Sequence, residues 1–183
     1  MGLRMPTGAV LAGYLVAVLL TAGCALPERR DGENVSGPVE AWVGSACAAV
    51  GTVAETADRR SELDWSRVSD PATAAELVSH LKAVSTQIGS ARASIEALGS
   101  PPVEDGEAVL ADLRGAFDER QQAVDNAADF IEGAASRIDP LAQPQIARAA
   151  QAAYTAAPKL AREIERKRQL RDPFAANSAC ANL

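Results

Sequence analysis

The sequence predicts an all-α protein: a single antiparallel up-and-down four-helix bundle, closed by one disulfide. Three observations predict it. Alanine is abundant while aromatic residues make up only 4% of the chain, a composition that suits close-packed helices and not pleated sheets. Four stretches repeat apolar residues at alternating spacings of three and four, the period of an amphipathic helix. No stretch alternates apolar and polar residues with the period of two that a strand requires.

The first helix opens at Pro38, whose fixed φ suits a first helical position, with Glu40 in the first turn. Val39, Val43, Ala46, Val50, Val53 and Ala57 lie on one face, a Glu55–Arg59 pair supports the other, and the end is expected near Leu63. Trp42 and Trp65 flank this segment and read as partial core plugs. The second helix has the clearest limits. Asp70 caps it, Pro71 starts it, and Gly99 followed by Pro101-Pro102 stops it. Leu77, Leu81, Val84, Ile88, Ala91 and Ile95 form its stripe, with Leu98 as the last step. That is the narrow heptad seam of a bundle.

The third helix is expected from Glu104 to Ile138, with Leu110, Leu113, Phe117, Val124, Ala128 and Ile131 on one side. The fourth begins at Asp139-Pro140 and continues to about Arg171, its stripe being Ile146, Ala149, Ala153, Ala157, Leu160 and Ile164. Pro144 and Pro158 stand inside it, so a kink or break is expected there. Short connections make neighbouring helices antiparallel.

Ahead of the bundle lies a targeting pattern. Arg4 supplies the only charge in the first 23 residues, an apolar run covers Ala9 to Leu20, and Thr21-Ala22-Gly23-Cys24 closes it. The run is shorter than the roughly 20 residues of a transmembrane helix. Leu20-Thr21-Ala22-Gly23-Cys24 looks like a bacterial lipobox, in which the cysteine thiol receives a diacylglycerol before cleavage. The position three before the cysteine is Thr21, where most such boxes carry Leu. A plain secretory signal and an uncleaved anchor stand as competing readings. Residues 25 to 37, with Pro27, Gly32 and several charges, read as a flexible tether spanning at most on the order of 45 Å. The expected organisation is therefore a signal peptide over 1–23, a tether over 24–37 and the bundle over 38–183.

Charge sets further limits. The chain carries 18 basic and 24 acidic side chains, and losing the leader removes Arg4 alone. So acidic a protein has no electrostatic reason to bind nucleic acid. Two cysteines remain besides Cys24. Outside the cytoplasm Cys47 and Cys180 read as a disulfide. An up-and-down bundle brings the start of its first helix and the end of its last to one end, with Phe174 as an apolar anchor for the returning tail. Closing so long a loop contributes about 4–5 kcal/mol in the chain-entropy model. Two free thiols are the alternative.

Chemistry is sparse. His80 is the single histidine, which removes most metal and general-base schemes, and no metal site is expected. It reads as a partly exposed surface residue, with Glu76 one turn earlier. No Gly-x-Ser-x-Gly elbow and no phosphate-binding glycine cluster occurs. Asp58 with Glu62, and Asp125 with Asp129, share helix faces as solubilising charge. Lys159, Arg162, Arg166, Lys167, Arg168 and Arg171 form the one basic concentration, interrupted by Glu163 and Glu165. Favourable placement near a helix C-terminus, with a Glu163–Lys167 pair, is the preferred reading. Contact with anionic lipid or wall polymer is the functional one.

The lipobox at Leu20 to Cys24, an early Cys47, a central Pro101-Pro102 linker and the closing run from Phe174 to Cys180 go together. With these features the chain resembles the small alanine-rich helical lipoproteins of high-GC Gram-positive bacteria. The resemblance implies an envelope location and carries no catalytic residues with it. The expected function is that of a non-enzymatic helical interaction module. It would be held by diacylglycerol on Cys24 at the extracytoplasmic face of the membrane, with an envelope protein or cell-wall polymer as partner and no cofactor. A carrier holding a lipid or other apolar molecule between its helices is the alternative, followed by an enzyme acting through carboxylates alone.

Overall fold

A computed structural model describes residues 37–58, 63, 65–67, 70–135 and 143–183. The leader, the lipobox with Cys24 and most of the tether lie outside them. All regular elements among the described residues are helical.

Helix α1 (Pro38–Asp58) buries Trp42, Val43, Ala46, Cys47, Val50, Val53 and Ala57, the predicted stripe with Trp42 and Cys47 added and its first member, Val39, only half-buried. Its described span ends at Asp58, residues 59–62 lie outside the described residues, and Leu63, near which the end is expected, stands outside any helix. A 3-10 turn over Trp65–Arg67 leads to α2 (Pro71–Leu98), which starts and stops where its punctuation dictates. The Asp70 carboxylate accepts from the Thr73 N–H at 3.1 Å and from the Thr73 hydroxyl at 2.7 Å. At the other end Gly99 takes φ +73°, a backbone conformation that costs glycine little. The seam holds from Leu77 to Ile95, but Leu98 is 39% exposed. A straight helix drifts by about 20° per heptad against a seven-residue repeat, and three heptads separate Leu77 from Leu98.

The connection to α3 (Gly106–Ala135) is tight. The Trp42 indole N–H donates to the Gly99 carbonyl at 2.9 Å, tying the start of α1 to the end of α2. Asp105 adopts φ 57°, so α3 begins at Gly106, two residues later than expected. A Cβ on Gly106 would stand 2.2 Å from the Pro101 carbonyl oxygen, which explains the glycine. The predicted face of α3 is buried from Leu110 to Ile131, while Ile138 lies outside the described residues. Lys82 pairs with Glu132, Arg92 with Asp118 and Glu96 with Arg114, so α2 and α3 run antiparallel.

The fourth segment is broken, as its internal prolines lead one to expect. Its expected start at Asp139-Pro140 lies outside the described residues, and beyond it the chain forms two helices, α4 (Gln143–Tyr154) and α5 (Ala156–Arg166). Pro158 has no N–H to give the Tyr154 carbonyl, and its ring crowds that same oxygen. The break accordingly falls at Thr155, although Thr155 still donates to Gln151 and Lys159 to Thr155, each at 3.0 Å. Pro144 is harmless in the first turn of α4. The helix also stops at Arg166, short of Arg171, which instead opens α6 (Arg171–Ala176).

The tail after α6 folds onto α1. Leu170 is fully buried and Phe174 half-buried. The Asn177 side chain donates to the Glu40 carbonyl at 3.3 Å, and its oxygen caps the Ser178–Cys180 3-10 turn by accepting from Ala179 N–H at 3.0 Å. Gly44 permits this approach, since a Cβ there would lie 2.7 Å from the Asn177 amide nitrogen. Cys47 and Cys180 then meet at bonding distance, S–S 2.04 Å and Cα–Cα 5.2 Å. Helix α1 packs on α2 and α5, and α3 on α2, α4 and α5. One core of small and medium apolar side chains joins them, with Phe117 the largest fully buried side chain.

Candidate functional site

The predicted basic concentration does not stay together. Lys159, Arg162 and Arg166 rise from α5 on spacings of three and four, so they share one face. Lys167 ends the helix, Arg168 sits in the following turn and Arg171 opens α6. Only the first four border the groove that α5 forms with α3, whose volume is about 640 Å³. The expected Glu163–Lys167 pair is replaced. Glu163 binds Arg166 at 2.9 Å, and Lys167 crosses to Asp112 of α3 at 2.6 Å.

The wall opposite is the part that sequence reading missed. Ala111, Gly115 and Glu119 form one row of α3, and Asp112, Ala116 and Arg120 the next, each on i, i+4 spacing. The signal was present as a second face of α3 carrying small residues beside charges, obscured by the stronger apolar stripe. Gly115 leaves the floor open, since a Cβ placed there would meet nothing within 4 Å. Five cations and three carboxylates line the groove, a local excess of two positive charges on a chain of net charge −6. Arg120 is paired with Glu119, Arg166 with Glu163 and Lys167 with Asp112. Lys159 and Arg162 have no carboxylate partner among the described residues, and Arg162 Nε donates to the Pro158 carbonyl at 3.1 Å.

The end of the molecule where the described chain begins has a different character. Gly37, the Gly99 carbonyl held by Trp42, the start of α3 and the tail at Asn177 gather there. Glu40 is half-buried, while Glu104, Asp105, Glu107 and Asp172 are exposed. Acids therefore gather at the start of α3, whereas Asp172 has the exposed Arg171 beside it, and Lys159 and Arg162 lie along the groove.

The remaining candidates are quieter. His80 is half-buried on α2 with the exposed Glu76 one turn earlier, and Asp125 and Asp129 are exposed one turn apart on α3. Glu62, Arg59 and the Trp65 side chain lie outside what the structure describes. Ser79 and Lys82 carry the Ser-x-x-Lys spacing of a serine nucleophile with a lysine base, a pattern that reading the sequence wrongly took to be absent. They border a second groove of about 420 Å³ over the start of α2. The Lys82 ammonium is directed to Glu132 at 3.1 Å, however, and not to Ser79, so nucleophile and base are not assembled. No group of three potential metal ligands occurs among the described residues, and no described helix is long and apolar enough to cross a membrane. Compared with known families, curated proteins and solved structures, the chain matches none.

Proposed function

We propose that the protein is a lipoprotein of the bacterial envelope that works as a non-enzymatic interaction module. Cys24 carries the diacylglycerol, residues 25–37 are the tether, and the helical domain stands at the extracytoplasmic face of the membrane. The observation that carries this reading is the lipobox sequence Leu20 to Cys24 behind a short apolar run with one positive charge. The Cys47–Cys180 bond supports it, because disulfides persist in oxidising compartments outside the cytoplasm. The helices are read as an up-and-down bundle of four arms, the fourth divided between α4 and α5. In that arrangement the tether enters beside the disulfide.

The carrier remains the alternative. Charged walls on the described α3–α5 groove favour a polar, anionic partner over an apolar one. A native mass spectrum of the protein extracted from its own envelope, with and without reduction, tests the proposal. A diacylglycerol adduct with a polymer or protein retained is the expected result. An unmodified Cys24 overturns the anchored reading, and a tightly held apolar molecule replaces the module by the carrier.

A further inference from the structure

We infer that the groove between α3 and α5 is a binding site for a phosphodiester polymer. The inference rests on the envelope reading for where such a polymer is met, but its chemistry comes from the groove alone.

The first ground is charge. Lys159 and Arg162 point along one face of α5 without carboxylate partners, and Arg166 continues that row with its charge shared by Glu163. Arginine presents a planar fork of donors that matches phosphate oxygens, and lysine adds a mobile point charge. Across the groove Arg120 adds a guanidinium from α3, its charge shared by Glu119. The excess of two positive charges corresponds to two phosphodiesters. From Lys159 to Lys167 the groove runs along about 12 Å of helix, at a rise of about 1.5 Å per residue.

Shape is the second ground. The floor is Ala111, Gly115 and Ala116, so the space between the walls is open to a thin chain. A peptide ligand depends on apolar pockets for its side chains, and here Leu160, itself buried, is the only large apolar side chain lining the groove. A bilayer is flat and does not enter a groove. The start of α3, at the end nearest the tether, would also meet it with Glu104, Asp105 and Glu107, which an anionic surface repels. A flexible polyanion satisfies both charge and shape.

The test measures binding of the purified full chain to a short poly(glycerol phosphate). Parallel arms use poly(glutamic acid) of equal charge and vesicles of phosphatidylglycerol in phosphatidylcholine. The polymer is expected to bind, and added salt to weaken it as its counterions are released. Lys159→Glu with Arg162→Glu should weaken binding by about tenfold or more. Both side chains lack carboxylate partners, so thermal melts should show the fold retained. Gly115→Leu keeps every charge and fills the floor, and it too should weaken binding. Equal binding of poly(glutamic acid) overturns the phosphodiester assignment, and so does binding confined to the vesicles. Polymer binding unchanged in both variants overturns the groove. The mass of the same preparation reports the anchor separately. An unmodified Cys24 on a chain that binds the polymer overturns the anchoring and leaves the groove. An acylated chain that fails to bind overturns the groove alone.

Discussion

Helix α3 has two seams, and they are built differently. Toward α2 it is closed: Lys82, Arg92 and Arg114 meet Glu132, Asp118 and Glu96, so three cations face three carboxylates. Gly89 of α2 sits close enough to Gln121 that a Cβ would lie 3.3 Å from its amide nitrogen. Toward α5 it is open: the small residues of one row leave a groove, and cations outnumber carboxylates five to three. The same helix thus supports the fold through one face and leaves another unfilled. Neutral, interlocked charge is what stability alone would select, because each carboxylate offsets a neighbouring cation at little desolvation cost. An uncompensated excess beside an open floor is left over from that requirement, and a ligand is the simplest physical account of it.

The comparison is broken most directly by truncating buried side chains on either side. Ile88 of α2 is fully buried, and Ile88→Ala should destabilise by about 2–5 kcal/mol, since the cavity it leaves is enclosed. Leu160 of α5 is 1% exposed but borders the groove, so neighbours and solvent can relax into the space it leaves. Leu160→Ala should cost about 2–3 kcal/mol, the low end of that range. Denaturant titrations of the two variants check this, and equal losses would mean that the two seams are packed alike. Smaller, and confined to the closed side, is Gly106→Ala. Its Cβ meets backbone, which has no rotamer to give, so about 1–3 kcal/mol should be lost.

How much of this was legible depends on the kind of signal each feature leaves. Apolar periodicity marked α1, α2 and α3, because burial repeats with the helix and involves many residues. Asp70-Pro71 and Gly99 located the ends of α2 because capping is local chemistry. The start of α3 was missed by two residues, since the left-handed Asp105 answers to the Pro101 carbonyl folded back over Gly106. Pro158 announced a break, but the break appears at Thr155, because the carbonyl it deprives is four residues earlier. The groove was only half legible. Its α5 wall is a visible run of cations. Its α3 wall is two rows of small and charged residues, and only tertiary packing decides that they face α5 and not water.

Gly115 sharpens the contrast from the open side. A glycine inside a helix costs about 0.5–1 kcal/mol against alanine, and the new Cβ would touch nothing within 4 Å. Gly115→Ala should therefore stabilise the protein by that amount while narrowing the groove. A loss of stability in thermal melts would show that the floor is packed after all. On the closed side Glu96 is shared by Arg92 and Arg114, with its side chain 35% exposed. Glu96→Gln should cost up to about 1 kcal/mol, and the loss should shrink as salt is added. Lys159→Gln, which gives up no partner, should leave stability unchanged.

The smallest effect concerns the cap that starts the closed seam, and it is read from pH. The Thr73 hydroxyl, then the Thr73 N–H, donate to the Asp70 carboxylate and hold its pKa below the ordinary value, with Arg67 nearby adding to the effect. Its stabilising contribution is complete where the unfolded chain is also ionised, above a pH of about 3.9. It is lost as pH falls from there through the lower folded pKa, because the native state then resists protonation that the unfolded state accepts. Asp70→Asn keeps an acceptor for Thr73 but cannot ionise, and Asn also caps helices well. Thermal melts of the two proteins should therefore differ most near neutral pH and converge as pH falls below about 4, with every other carboxylate common to both. Curves that stay parallel down to the acid limit would show that the charge on Asp70 contributes nothing. The cap would then hold by acceptor geometry alone, and the charge compensation that distinguishes the α2–α3 seam would not extend to its first residue.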